Sequence, residues 1–198
     1  PEQIEHAPRG IVANPNCTTM VVMLPAKALH DLYGMTEMVA TSFQAAGGAG
    51  QKGIDELAAQ VGPVGADVQQ LVDDGASAAA KATPSVHAAT LAFNVVPVLG
   101  TVGDNGYTDE EMKLQNESRK ILGIPELAVT PTCVRVPVLV GHSESVNVQT
   151  RESLEPEQCR ELLSSAPGVI VVDDPADGLY PLAIDVEGRD DVLVGRIR

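Results

Sequence analysis

Basic residues, cysteine and long apolar runs are all scarce in this sequence, and each shortage removes a class of function. Thirteen Lys and Arg stand against 27 Asp and Glu, a formal charge of −14, so the surface field repels nucleic-acid phosphates and anionic lipid headgroups. No nucleic acid and no membrane is expected as a partner. A small anionic substrate stays open, because a pocket is governed by the few groups that line it. Cys17, Cys133 and Cys159 are too few and odd in number for a disulfide framework, and no CxxC pair suggests zinc. A reducing, cytoplasmic setting follows. Apolar stretches break off before the roughly 18 residues that cross a bilayer, and no basic-then-apolar leader opens the chain. No phosphate-cradling glycine motif of the GxGxxG or GxxxxGK type follows any predicted strand.

What is present is a chain of 198 residues, 44% of them apolar, enough for one large domain or two small ones. The pattern predicts a helix from Thr18 to Tyr33, closed by Gly34, with Pro25 as a local kink. A strand follows over Thr36–Phe43, then the small-residue run Ala45–Gly50, where a ligand can approach backbone closely. Residues 53–73 return to helical spacing with Gly62-Pro63 as an interruption. Gly75–Ser85 reads as an irregular connection, Leu91–Leu99 as a buried strand and Gly100–Gly106 as a turn. Thr108-Asp-Glu-Glu111 matches a capping box and opens a helix to about Leu122. Strands are predicted at 132–140, 144–151, 168–173 and 191–197, with a helix at about 156–165. The first two strands are close enough to form an antiparallel hairpin across Gly141-His142-Ser143. This tally favours an α+β fold with a mixed, largely antiparallel sheet and helices packed on one face.

Cys17 is the sharpest chemical feature. It precedes a helix start, where free amides and the positive end of the dipole favour a thiolate, and Asn16 with the Thr18 amide can serve an oxyanion. The plainer reading is a small buried apolar residue. His142 lies in a polar turn with its imidazole free for proton transfer, or it merely decorates a hairpin. Arg135 stands in a Val-rich strand, on the face opposite Val134, Val136 and Val138. There its planar fork can clamp a carboxylate, or pair structurally with one. The Val face is the expected core. Glu110, Lys113 and Glu117 fall on one helix face, which in most proteins is solvated surface. Gln44 closes a strand just before the glycine run. His6, His30 and His87 read as bystanders.

Taken together, Asn14-Pro-Asn-Cys-Thr-Thr19, Ser42-Phe-Gln-Ala45, Glu111-Met-Lys113 with Glu117–Leu122, and Thr132–Val138 followed by Gly141-His-Ser143 resemble the bacterial aspartate-semialdehyde dehydrogenases. The resemblance runs in order along nearly the whole chain. It implies a catalytic and dimerisation domain over 1–198, like the C-terminal domain of glyceraldehyde-3-phosphate dehydrogenase, with 1–16 as a connection from a cofactor domain that is not in this sequence. It also implies NADPH-dependent reduction of aspartyl 4-phosphate to aspartate 4-semialdehyde and phosphate, in amino-acid biosynthesis. In that scheme Cys17 forms a thioester, His142 is acid and base, and Asn16 supports the oxyanion. Arg135 holds the substrate carboxylate, Gln44 positions the acyl group, and Glu110 and Lys113 recognise amino group and phosphate. With the glycine-rich turn missing, the sequence predicts a homodimer that retains the cysteine site but neither binds NADPH usefully nor turns over alone. Alternatives are a homodimeric interaction module without catalysis, an N-acetyl-glutamyl-phosphate reductase-like enzyme, and a Cys-His hydrolase that needs no nucleotide.

Overall fold

One mixed sheet organises the chain, and everything that bears on the site hangs from its central strand. The computed structural model describes residues 2–198, so Pro1 of the expected connection 1–16 lies outside the described residues. In chain order the elements are α1 (Glu2–Glu5), α2 (Cys17–Tyr33), β1 (Met35–Gln44), α3 (Gln51–Gly65), α4 (Val68–Asp73), α5 (Gly75–Ala79), α6 (Asp109–Leu122), β2 (Ala128–Arg135), β3 (Ser143–Thr150), α7 (Pro156–Ser164), β4 (Val169–Val171) and β5 (Val192–Val194). The strands are ordered β2-β1-β3, with β2 parallel and β3 antiparallel to β1, and β4 pairs with β5 in a separate parallel ladder. The fold is α+β with a mixed sheet, as expected.

The antiparallel hairpin is corrected. Residues 132–140 and 144–151 do not pair with each other. β1 lies between them, with Ser42 opposite Cys133 on one side and Glu144 on the other. Closeness in sequence favoured a hairpin, but β1 offers both its edges to these strands. Of the ladders among the described residues only β1–β3 is antiparallel, so the sheet is mixed rather than largely antiparallel.

Helices α2 and α6 cover one face of this sheet. Val22, Met23, Ala26 and Leu29 of α2 meet Met35, Met38 and Ala40 of β1, Leu114 and Leu122 of α6, and Val129 of β2 in a single core. Burying each large side chain here is worth roughly 1.5–3 kcal/mol. The core face of β2 carries Val129, Pro131 and Cys133, with Arg135 next in that row. The expectation that Val134 and Val136 mark the core face is therefore overturned, although Val134 is itself buried. β-branched residues suit either face of a strand, and here the helices decide which one is covered. On the outer face Val39 and Phe43 remain exposed.

Residues 51–100 build a satellite around Leu57, Val64, Leu91, Ala92 and Val96. Helix α3 runs straight through Gly62-Pro63, and the break comes at Ala66-Asp67 instead. Gly75–Ala79 is a short helix rather than an irregular connection, because Asp74 accepts from the Ser77 amide. Leu91–Leu99 is not a strand. Phe93 has φ 59°, the Leu91 and Ala92 amides donate to the Gln60 side chain, and one bridge, Val96 to Arg135, is all the pairing it makes. Among the described residues no helix is long and apolar enough to cross a membrane, and no cluster of His, Cys, Asp or Glu is placed to hold a metal ion.

Candidate active site

The site begins where α2 begins. Asn16 caps the helix by accepting the Thr18 amide through its side chain at 3.0 Å, which leaves Cys17 as the first helical residue. Two carboxylates of α6 hold the cap from the other side. The Asn16 amide donates to Glu117 at 2.7 Å, and its side-chain amide donates to Glu110 Oε1 at 2.9 Å. The face of α6 that carries Glu110, Lys113 and Glu117 thus addresses the cysteine end of α2. Glu110 is bridged on its far oxygen by Lys113 at 3.2 Å. The capping box predicted at Thr108 is present in both directions. Its Glu111 reaches further and accepts the Cys133 amide at 3.0 Å, which fixes α6 against β2.

Gln44, fully buried at the end of β1, ties these parts together. Its side-chain amide lies 2.6 Å from Thr18 Oγ1, 3.3 Å from Ser42 Oγ and 3.3 Å from Glu110 Oε1. One residue on, the Ala45 backbone holds the other two groups. Its amide donates to His142 Nδ1 at 3.2 Å, and its carbonyl accepts from Arg135 Nη1 at 2.7 Å. Gly48 closes the floor. A Cβ there would fall 2.7 Å from Arg135 Nη1 and 3.1 Å from His142 Nε2, so only a residue without a side chain fits unless these groups move.

The electrostatics bind the group into one cleft. Burial pushes the Cys17 thiol up and Glu110 pushes it further, while the Thr18 hydrogen bonds and the more distant Arg135 pull it down without prevailing. The free chain therefore favours the thiol, contrary to the thiolate expected of a helix start. Partial burial of the sulfur is the larger reason and the carboxylate 4.0 Å from Sγ the second, although Cys17 as a whole is exposed. Glu110 is held below its ordinary value: burial opposes this, but the donors from Asn16, Lys113 and Gln44 outweigh it. Burial, and then Arg135, hold His142 below its ordinary value, so the ring is neutral at pH 7. Cys17 and His142 thus feel the same two charges, Glu110 and Arg135.

All seven residues picked from the sequence, Asn16, Cys17, Gln44, Glu110, Lys113, Arg135 and His142, meet at this cleft. The backbone of Ala45, the hydroxyl of Thr18, the space at Gly48 and the carboxyl of Glu144 were missed. Glu144 lies two residues beyond His142 on the covered side of β3, opposite Ser42. Both its oxygens are buried without a hydrogen-bond partner, and burial alone pushes it up to about 8. The period-2 pattern of β3 could have flagged Glu144. A backbone amide leaves no trace in a sequence.

Comparison with known proteins decides the family. The semialdehyde dehydrogenase dimerisation domain matches residues 26–198. The chain belongs to that family. Aspartate-semialdehyde dehydrogenase of Mycolicibacterium smegmatis is 51% identical over 192 residues, which is 96% of this chain and 54% of the relative. That of Streptomyces akiyoshiensis is 44% identical over 200 residues, covering all of this chain and 57% of the relative. Among solved structures, aspartate semialdehyde dehydrogenase II complexed with ASA from Vibrio cholerae superposes with a TM-score of 0.85 at 36% identity, covering all of this chain and 54% of that one. This semialdehyde dehydrogenase dimerisation domain spans about half the length of the curated relatives it matches.

Proposed function

We propose that this chain is the acyl-transfer half of an NADP-dependent aspartate-semialdehyde dehydrogenase, working on aspartyl 4-phosphate in a homodimer in the cytoplasm. The observation that carries the reading is the convergence of Cys17, Gln44, Glu110, Arg135 and His142 from four elements and one loop. On this reading the substrate ammonium displaces Lys113 or Gln44 from Glu110, the Arg135 fork takes the α-carboxylate, and Lys113 turns to the phosphate. Cys17, exposed at the mouth of α2, gives up its proton to solvent. The thiolate attacks the acyl carbon, the bond from carbon to phosphate oxygen breaks, and phosphate leaves with a thioester on Cys17. Gln44 and Asn16 flank the acyl group, and His142 faces its oxygen.

A dinucleotide supplies the hydride that turns such a thioester into an aldehyde. The residues present do not fit its phosphates. Those phosphates need free amides at a glycine-rich turn, and in the Ala46–Ala49 turn the Ala46, Gly47, Gly48 and Gly50 amides already donate to Val138, Leu139, Ala45 and Gly47 carbonyls. No step through the nucleotide is assigned to this chain. The exposed Val39 and Phe43 on the uncovered sheet face support the homodimer, with residues 1–198 as one catalytic and dimerisation unit.

Incubating the chain with aspartyl 4-phosphate and mapping hydroxylamine-sensitive acylation by mass spectrometry tests the reading. Label confined to the Cys17 peptide is expected, with no micromolar NADPH binding by calorimetry. Acylation elsewhere, or none, defeats it.

A further inference from the structure

The turn that carries His142 cannot set its own direction. Gly141, the residue before the ring, has φ 90°, a conformation that glycine enters and leaves without a steric barrier. Its place is therefore set by what packs around it. On one side the Ala46 and Gly47 amides donate to the Val138 and Leu139 carbonyls at 2.7 and 3.0 Å, and the Ala45 amide donates to His142 Nδ1 at 3.2 Å. On the other side lies a segment from far along the chain. A Cβ on Gly141 would fall 2.5 Å from the Ala183 carbonyl oxygen and 2.6 Å from Val186 Cγ2, so the short helical turn Ala183–Val186 packs directly on the backbone beside His142.

We propose that Ala183–Val186 is a brace that holds His142 in the cleft through Gly141, which makes Ala183 and Val186 positioning residues for the ring. The turn belongs to residues 172–191, the connection between β4 and β5, and that connection is fixed at its root. The Asp173 carboxylate accepts from Arg160 Nε at 2.7 Å and from the Arg196 and Ile197 amides at 2.6 and 3.2 Å, and Arg160 also donates to the Ile197 carbonyl at 2.8 Å. Beyond the root, every hydrogen bond that residues 175–190 make among the described residues stays within the connection. Leu179, Tyr180, Leu182 and Ile184 are exposed, so the segment is not there to fill a core. At its tip it meets the backbone of the His142 turn, which fixes the place of the imidazole and leaves its nitrogens free for acid and base work. Placement of this kind matters, because a displacement of about 1 Å at a reacting group can cost about a hundredfold in rate.

The brace's part in the reaction rests on the acyl-transfer reading, whereas the hold on the ring does not. Val186→Ala removes the methyl that meets Gly141, Val186→Thr keeps a branched side chain, and neither touches Arg135 or Glu110, the charged groups that act on the ring. Burial holds His142 below its ordinary value, so a ring that swings towards water should titrate higher. NMR titration of the ¹⁵N-labelled chain, with His142→Gln used to assign the ring, should show that rise in Val186→Ala and the wild-type midpoint in Val186→Thr. Cys17 acylation by aspartyl 4-phosphate should slow roughly tenfold at saturation in Val186→Ala, with the half-saturating concentration unchanged. An unmoved midpoint in Val186→Ala, or the same change in both variants, would overturn the brace. So would the absence of a nuclear Overhauser contact between Gly141 Hα and a Val186 methyl in the wild type, a measurement that needs no variant to fold. A raised midpoint in Val186→Ala with no thioester in the wild type upholds the brace and sinks the acyl-transfer reading, whereas a thioester with an unmoved midpoint sinks the brace alone.

Discussion

Two glutamates show how the cysteine cleft differs from the satellite of residues 51–100. Glu56, on α3, is saturated: the Ser85, Val86 and His87 amides and the Ser85 hydroxyl all donate to it. Burial is the largest single influence and opposes its ionisation, but those donors together outweigh it and bring it down to about 2. Glu144, beside the cleft, is buried with no donor at all and stands at about 8. The satellite uses its carboxylate to stitch a loop to a helix. Beside the cleft Glu144 and His142 Nε2 stay unmatched, and the satellite leaves one such atom of its own, Gln60 Nε2. The difference between the two regions therefore lies in their carboxylates, one saturated by donors and one given none.

The largest effects should come from breaking that contrast at its two poles. Folded Glu144 holds a proton that the unfolded chain releases above about 4.5. Its stabilising share is complete below that pH and is lost by about pH 8, with a ceiling of about 1.4 kcal/mol per pH unit. Urea unfolding at a series of pH values should show this decline in the wild type and a flatter profile in Glu144→Gln. Matching profiles would remove Glu144 from the account. Glu56 has the opposite sign, with its contribution present above about 4.5 and lost as pH falls towards 2. Glu56→Ala should cost about 2 kcal/mol at pH 7 through the orphaned amides, and calorimetry at pH 7 and pH 3 should find the difference shrinking in acid.

Glycine substitutions sharpen the comparison further. Gly62→Ala, where an added Cβ meets nothing within 4 Å, should leave Cys17 acylation unchanged and stabilise α3 by about 0.5–1 kcal/mol. Gly48→Ala presses on Arg135 and His142 and should slow acylation by roughly tenfold or more, since a displacement of about 1 Å at reacting groups suffices for that. Equal rates for the two variants would show that the floor of the cleft can yield. The smallest expected effect is on the thiol itself. Because Glu110 holds Cys17 up, Glu110→Gln should speed iodoacetamide alkylation of Cys17 at neutral pH by about three- to tenfold, whereas Glu56→Gln should not change it.

The local signals were legible where they are local in physics. The Thr108 capping box, the helix end at Gly34 and the strand expected over Thr36–Phe43 arise from neighbours within a few residues, and the structure has each of them, the strand running one residue further at either end. Leu91–Leu99 misled because its apolar content reflects packing on α3 rather than pairing, with the Gln60 side chain taking amides that a strand would have used. The hairpin misled because strand partners are chosen by the whole sheet.

Cys17 at a helix mouth, the row of charges on α6 and the alternation around Arg135 follow from amino-acid order alone, since helical and extended geometry fix which side chains share a face. Order also sets the acidic surface and the lack of a free glycine cradle for nucleotide phosphates. Only the folded chain decides that the helices cover the Arg135 side of β2, that burial and Glu110 hold the Cys17 thiol up, and that the Ala45 backbone holds both His142 and Arg135. The last two depend on contacts between residues 90 to 97 positions apart in the chain, terms that no local pattern carries.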